Sequence, residues 1–349
     1  MKIKNDITNI IETERLILRP LTLADAETAF RWTGDLEVAK YVSWLPHHSM
    51  EDCIAWLEEI AWKYPNDNYI WGFVLKETGE LFGSGGLIWE DDLQLFQVGY
   101  NIMPSYQNRG YATEAMRAIL QFAAANLSIK KVAGGHAKEN LASAKVLEKL
   151  GFVYDHDSMT PHVDETKVFD SREYLLDLVQ IKPGTRDELY EIAAFLNDSW
   201  KAEYRGIVRD DYLDAMTIEE RHKGLQNRFD ENISAFLTMR CCGKLIGASV
   251  FGKSFTEGYP DDGEISAIYL HRDYIGKGYG HEFFTAIEKE LIAKEYSHLV
   301  LDVLADNRRA VRFYEKHGYT KMDDRSIKLG EQDYPLTVFR KPVADSTKD

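Results

Sequence analysis

The sequence predicts a duplicated α/β fold, and three observations predict it. The chain has 349 residues, about twice an ordinary domain of roughly 100–200 residues. Four anchors recur in one order at nearly one spacing: Pro20 and Pro183 lie 163 positions apart, Gly110 and Gly278 168, Asn140 and Asn307 167, and Gly151 and Gly318 167. In each half a glycine turn sits between a strand-like apolar run and an amphipathic helix. A period this long denotes a duplicated domain rather than a solenoid of short repeats. The boundary falls near Leu178, after Tyr174-Leu175-Leu176-Asp177, which gives domains 1–178 and 179–349.

Each half reads in the same order. A short strand opens it (Leu16-Ile17-Leu18; Val179-Gln180-Ile181), and a helix follows with Asp25 or Asp187 in its acidic first turn, where a carboxylate meets the positive end of the helix dipole. After a variable helical stretch comes a hairpin. In the first half Trp71–Leu75 and Leu81–Leu87 flank Glu77-Thr78-Gly79; in the second, Phe236–Arg240 and Leu245–Val250 flank Gly243. Apolar runs around a glycine turn are the pattern expected of paired strands. A further strand leads into the glycine turn and a helix. Met116, Ile119, Leu120 and Ala123 share one face of the first helix, and Phe283, Phe284, Ile287 and Leu291 one face of the second, at helical spacing. One more strand (Lys131-Val132-Ala133; Leu299-Val300-Leu301) precedes a last helix that stops at Gly151 or Gly318.

Composition bounds the partners. Hydrophobic residues are 44% and charged residues 28% of the chain, enough for a core in each half. The formal net charge of −15 disfavours the nucleic-acid backbone and suits an amine or basic peptide, although it also simply keeps a protein dissolved. Three cysteines, Cys53, Cys241 and Cys242, form neither a disulfide framework nor a Cys-x-x-Cys thiolate site. No apolar segment follows Met1–Asp6, and no run of about 18 apolar residues exists. The expectation is a cytoplasmic protein without membrane, metal or nucleic-acid partner.

The turns read Gln107-Asn108-Arg109-Gly110-Tyr111-Ala112 and Ile275-Gly276-Lys277-Gly278-Tyr279-Gly280. At the start of a helix, N–H groups point outward at the positive end of the dipole, and small residues let an anion approach the backbone. The P-loop and dinucleotide-fold patterns both fail on spacing. A tight turn without a ligand is the alternative for one copy alone. Repetition in strand–turn–helix context, with an Asn-containing segment about 30 residues on in each half, argues against it.

On these residues the chain resembles the GNAT superfamily of N-acetyltransferases: Gln107–Ala112 matches its Gln/Arg-x-x-Gly-x-Gly/Ala motif, and Ile275–Gly280 is similar to it, with Ile275 at the usual Gln/Arg position. From Glu12-Thr13-Glu14-Arg15-Leu16 onward the first half resembles the ribosomal-protein alanine N-acetyltransferase branch, the second half the general small-molecule branch. The resemblance implies a mixed, mostly antiparallel sheet flanked by helices in each half, with acetyl-CoA between two splayed strands. It implies that the turns hold the CoA pyrophosphate through Gly276, Lys277, Gly278, Tyr279, Gly280 and His281 in the second half, and through Gln107, Asn108, Arg109, Gly110, Tyr111, Ala112 and Thr113 in the first. Ile268, Tyr269 and Leu270, or Tyr100, Asn101 and Ile102, pair with pantetheine by their backbone.

Acyl transfer from a thioester to an amine needs a neutral amine, donors for the developing oxyanion and a proton for the leaving thiolate. By resemblance Tyr314 is the general acid, Asn307 contacts CoA near the thiol, and Glu264, 14 residues before Gly278, is the base; a core aromatic and a solvated strand-end carboxylate are the plainer readings of Tyr314 and Glu264. In the first half Leu147 stands where Tyr314 stands, Gln97 where its branch frequently has Glu, and Asn140 where Asn307 stands; Ser143 is the candidate thiolate partner. The second half is therefore expected to carry the chemistry, with the first half weaker, differently specific, or an acyl-CoA-binding regulatory or scaffold module. A nucleotide-phosphate binder is the non-acyl alternative. His47-His48 reads as a loop pair, His136 as a strand-end residue near the acyl site, and Trp44, Trp56, Trp62 and Trp71 chiefly as core. The carboxylates after Tyr204-Arg205-Gly206 either hold a cationic substrate or cap a helix. A monomer acting as an internal pseudo-dimer is the expected assembly; the acceptor amine, small molecule or peptide, stays open.

Overall fold

The computed structural model describes residues 10–41, 45–63, 68–161 and 168–343, without the side chains of 61–63. Trp44, the Trp62 side chain and the start of the chain lie outside the described residues. The chain divides into two compact units, 1–179 and 180–349.

The first unit runs β1 (Ile11–Glu12), β2 (Leu16–Arg19), α1 (Ala26–Thr33), α2 (Met50–Lys63), β3 (Asn68–Leu75), β4 (Leu81–Glu90), β5 (Leu95–Ile102), α3 (Tyr111–Phe122), β6 (Lys131–Ala137), α4 (Leu141–Leu150), β7 (Val153–Pro161) and β8 (Val168–Asp177). Its eight-stranded sheet has the order β1-β2-β3-β4-β5-β6-β8-β7. The second unit runs β9 (Val179–Pro183), α5 (Leu189–Tyr204), α6 (Asp210–Ala215), α7 (Ile218–Asp230), β10 (Ser234–Cys241), β11 (Lys244–Lys253), β12 (Gly263–Leu270), α8 (Tyr279–Ala293), β13 (His298–Leu304), α9 (Arg308–Lys316), β14 (Thr320–Leu329) and β15 (Gln332–Pro342), with sheet order β14-β15-β13-β12-β11-β10-β9. The terminal hairpins β7–β8 and β14–β15 close each sheet; the sequence reading ended at the helices before them, apart from the Tyr174–Leu178 run.

Among the strand pairings described, all are antiparallel except one in each sheet. β5 and β6 pair in parallel only at Phe96↔Val132 and Gln97↔Ala133, and β12 and β13 only at Gly263↔Leu299 and Glu264↔Val300. Beyond these pairs the strands part, leaving the facing edges of Val98–Ile102 and Ile265–Leu270 without a strand partner on that side.

Both helices begin with an acidic turn, as expected, but in the second unit the capping carboxylate is Glu188, not the expected Asp187. The Thr22 N–H donates to Asp25 (2.8 Å), and the Thr185 N–H to Glu188 (2.9 Å), so the carboxylates satisfy donors that a helix start leaves open. Arg19 pairs with Asp25 as well.

The unequal repeat spacing has a structural cause. Val250 pairs with Ala267 but Phe251 with Ile265, so Ser266 bulges out of β12, whereas β4 and β5 pair without a break. One inserted residue turns an offset of 167 at Gln97/Glu264 into 168 at Ile102/Leu270. After α3, a π-helical turn at Ala123–Leu127 takes up one extra residue in the first unit, and the offset is 167 again at Lys131/His298.

Candidate acyl-transfer site

In each unit the parting strands open towards a glycine-capped helix. Gly110 (φ 82°) caps α3 and Gly278 (φ 89°) caps α8, neither helix having a side-chain cap. Asn108 and Gly276 hold the equivalent earlier turn position at φ 60° and 79°, the left-handed region that glycine and asparagine tolerate best. The first turn of each helix thus faces outward with its N–H groups and dipole, which fits a pyrophosphate. In the first unit Arg15 braces the turn: it donates to the Arg109 carbonyl (3.1 Å), lies over the Tyr111 ring (4.5 Å) and pairs with Glu114.

A cleft of about 1060 Å³ occupies the first unit's splay. Its lining includes Gln97, Tyr100, Asn101, Ile102, Gln107, Asn108, Gly110, Tyr111, Ala112, Thr113, Asn140 and Ser143. Of the expected first-half residues Arg109 alone is missing from the lining; its guanidinium lies over Tyr106 (5.7 Å). His47, Trp56 and His136 line the cleft too, and Trp71 is core. His136 bonds the Ala137 carbonyl (2.8 Å) and the Tyr174 hydroxyl (3.2 Å), which fixes its ring. Burial pushes the His47 imidazole below its ordinary value.

Ser143 is half-buried, not an idle surface serine. Its Oγ lies 2.8 Å from the Tyr100 hydroxyl. Burial pushes Tyr100 up to about 12, against the pull of Ser143. The first unit's cleft therefore has a tyrosine hydroxyl beside Ser143, although Leu147 stands where the general-acid tyrosine is expected; the expectation for Tyr100 was a backbone role only. Asn140 caps α4 by accepting from the Ser143 N–H (3.1 Å) and Asn307 caps α9 by accepting from the Ala310 N–H (3.1 Å).

In the second unit Tyr204, Tyr269 and Tyr314 gather beside Asn307. Tyr269 packs against Tyr204, and Asn307 and Tyr269 both act on the Tyr204 phenol. Burial raises all three phenols, Tyr269 and Tyr314 far above the ordinary value, so they hold their protons at any physiological pH. Tyr314 is half-buried rather than core. Lys277 donates to the Asp273 carbonyl, and His281 shares a 2.9 Å hydrogen bond with His317. The carboxylates after Tyr204 are neutralised locally: Arg205 pairs with Asp210 and Asp214, and Arg209 with Asp211.

Glu264 is not a solvated strand-end carboxylate. It is buried, and it accepts from Phe255 N–H (2.6 Å), Thr256 N–H (3.0 Å), Thr256 Oγ1 (3.1 Å), Ser254 Oγ (3.3 Å) and Ser266 Oγ (2.7 Å). Four of the five donors fall on Oε2 and only Ser266 Oγ falls on Oε1; with about two lone-pair sites per oxygen, Oε2 is fully used and Oε1 keeps one site.

Residues 15–153 match the family described as an acetyltransferase (GNAT) domain, and residues 193–319 the acetyltransferase (GNAT) family. N-acetyltransferase YoaA of Bacillus subtilis is 30% identical over 145 residues, which span 41% of this chain and 82% of that one. The chain belongs to the GNAT acetyltransferases. It carries two GNAT domains. A solved GNAT acetyltransferase from Bacillus anthracis is 23% identical and covers 48% of this chain and 98% of its own (TM-score 0.43). A Thermoplasma acidophilum N-acetyltransferase solved in complex with coenzyme A is also 23% identical and covers 47% and 99% (TM-score 0.39). Among the described residues no helix is long and apolar enough to cross a membrane, and no group of three or more metal-ligating side chains is gathered.

Proposed function

We propose that this GNAT chain moves an acetyl group from acetyl-CoA to a primary amine of a small molecule or peptide, with one acyl site in each unit. One observation carries the reading: in both units a parallel strand pair parts after two residue pairs and opens onto a glycine-capped helix. The bare edges of Tyr100–Ile102 and Ile268–Leu270 offer backbone groups to pantetheine, and the turns Gln107–Thr113 and Gly276–His281 offer N–H groups to the pyrophosphate. Asn140 and Asn307 sit where the thiol end would lie. Tyr314 in the second unit and the Tyr100–Ser143 pair in the first hold protons for the leaving thiolate. Asp35, Glu37, Glu90 and Glu173 line the first cleft together with Lys40, Lys145 and Lys149, and the carboxylates offer partners to a cationic acceptor.

A second reading keeps the first unit as an acyl-CoA-binding regulatory module, since Gln97 and Leu147 replace a base and an acid. Calorimetry of the full chain with CoA, joined to thiol release by wild type and Tyr314→Phe over a panel of primary amines, separates the two. Two CoA per chain with residual turnover in Tyr314→Phe supports two transferase sites. Two CoA without residual turnover supports the regulatory module. No CoA uptake overturns both.

A further inference from the structure

At the strand position where a proton acceptor was expected, the first unit has Gln97, which has no basic lone pair. In the second unit Glu264 is tied down by four donors on Oε2 and by Ser266 Oγ on Oε1. A different carboxylate recurs at one shared point of the two sheets, contributed by different strands.

The β6–β8 and β13–β15 pairs are in identical register. Val132↔Leu176 corresponds to Leu299↔Lys341, and Ala137↔Ser171 to Leu304↔Leu336. Within that frame Gly135↔Glu173 corresponds to Asp302↔Val338. The second unit has a carboxylate on the inner strand and an apolar partner opposite. The first has no side chain on the inner strand and a carboxylate opposite. Glu173 reaches across: a Cβ placed on Gly135 would lie 2.3 Å from Glu173 Oε2 and 3.0 Å from its Cδ. The Glu173 carboxylate thus fills the space that a side chain at position 135 would take, which is where Asp302 stands in the other unit. Residues paired across a strand ladder point to one face, so both carboxylates face the same way.

That face is the acceptor side. Leu304, two residues beyond Asp302 and so on its face, packs with Tyr204, Val208 and Leu213 from the α5–α6 segment. Gly135 and Glu173 line the first cleft together with Tyr100 and Ser143. Asp302 lies in the field of Glu264 on β12 and Arg325 on β14, and it acts in turn on Tyr204 of α5 and Tyr314 of α9, which Glu203 of α5 also faces. Glu173 shares its cleft with Glu37, Tyr41, Glu90 and His136; Ser158 of β7 donates to its Oε1 (2.6 Å), which leaves Oε2 turned towards Gly135.

We propose that Glu173 in the first unit and Asp302 in the second are the proton acceptors for the attacking amine. The assignment rests on the acetyl-transfer reading above. As the amine nitrogen forms its bond to the thioester carbonyl carbon, its proton passes to the carboxylate; the carbon–sulfur bond breaks, and the departing sulfur takes a proton from Ser143 or Tyr314. Asp302 is exposed on β13, and partial desolvation by its neighbours, with the repulsion of Glu264, raises its carboxyl to about 6, which suits a base working near neutrality.

The test uses the full chain with acetyl-CoA and a panel of primary amines, read by free thiol across pH 5.5–9, and CoA calorimetry on the same samples. In Glu173→Gln/Asp302→Asn, turnover at pH 7 falls at least tenfold while CoA affinity stays within twofold. The residual rate keeps rising with pH towards the amine's own ionisation, whereas wild type levels off; a merely structural loss lowers the plateau without moving it. Gly135→Asp/Glu173→Val in the Asp302→Asn background transplants the second unit's arrangement and recovers at least a tenth of wild-type turnover. Unchanged pH profiles with intact CoA binding, or no recovery on transplantation, overturn the carboxylate assignment alone. Absence of CoA binding, or of thiol release by wild type, overturns the transferase reading and this assignment with it.

Discussion

The Tyr100 hydroxyl lies 2.8 Å from Ser143 Oγ, joining β5 to the first turn of α4 across the first unit's cleft. Two hydroxyls in contact form a relay: one donates outward while the other replenishes it. Tyr100, pushed up to about 12 by burial, keeps its proton in the resting site. A thiolate, whose conjugate acid lies near 8.5 in a free thiol, is a weaker base than that phenolate, so the pair acts by donating a hydrogen bond to the departing sulfur, and positioning matters as much as acidity.

The pair is expected to behave as a unit. In a Tyr314→Phe background, which removes the second unit's acid, Tyr100→Phe and Ser143→Ala should each lower kcat by about 10–100-fold. Their combination should be little worse than either alone. CoA affinity by calorimetry should be unchanged. Additive losses would show two separate roles.

The glycine caps should matter for backbone conformation, not for space. Gly278 has φ 89° and nothing within 4 Å of a Cβ built on it, and Gly110 has φ 82° with only the Arg15 guanidinium end nearby, at 3.6 Å. Gly278→Ala should therefore cost about 1–2 kcal/mol of left-handed strain and, as the cap relaxes, turn the first-turn N–H groups off the anion. Calorimetry should show one CoA site weakened at least tenfold and the other intact. Gly110→Ala should weaken the complementary site.

Much of this was legible in the residues. The duplication, the hairpins, the glycine turns and the acidic first turns all rest on local patterns, and local patterns survive folding. What was not legible depends on register. From Gln97/Glu264 onward the offset passes from 167 to 168 and back because Ser266 bulges and Ala123–Leu127 winds as a π-turn, and neither event has a sequence signature of its own. Glu264 was correctly placed on its strand, but its donors arrive from Ser254–Thr256, a loop whose path is set by the end of β11. Glu173 went unnoticed because its meaning depends on facing Gly135, and two residues 38 positions apart meet only once β6 and β8 are paired. Tyr100 was assigned a backbone function because the splay that brings its side chain to Ser143 is a tertiary event.

Arg340 should prove a stability residue. It makes a bidentate pair with Asp262 (2.6 and 3.0 Å), whose side chain is only 5% exposed. Arg340→Ala leaves that carboxylate buried without its cation, which costs about 3 kcal/mol; Arg340→Lys keeps the charge but loses the fork and should fall between. Urea unfolding with an unchanged m-value would report it. A loss under about 1 kcal/mol for Arg340→Ala would mean that water reaches Asp262.

Asp302 offers a test that needs no turnover. Its carboxyl is raised to about 6 in the folded chain, first by partial desolvation and then by Glu264, against about 3.9 for an unfolded aspartate. Between these values the folded state holds the proton and the unfolded state has released it. Folded protein thus binds more protons, and stability falls as pH rises through that window, then stays lower above it. An asparagine cannot ionise, so Asp302→Asn should match wild type in urea midpoint near pH 4 and exceed it at pH 7.5. The gain should be about 1 kcal/mol, since the carboxyl opens to solvent and its repulsions are screened. The gap should open between pH 4 and 6. A constant gap at both ends would mean that asparagine merely packs better, and a gap that closes as pH rises would mean that Asp302 is stabilised as the anion, which is the opposite of what a proton acceptor poised near neutrality requires.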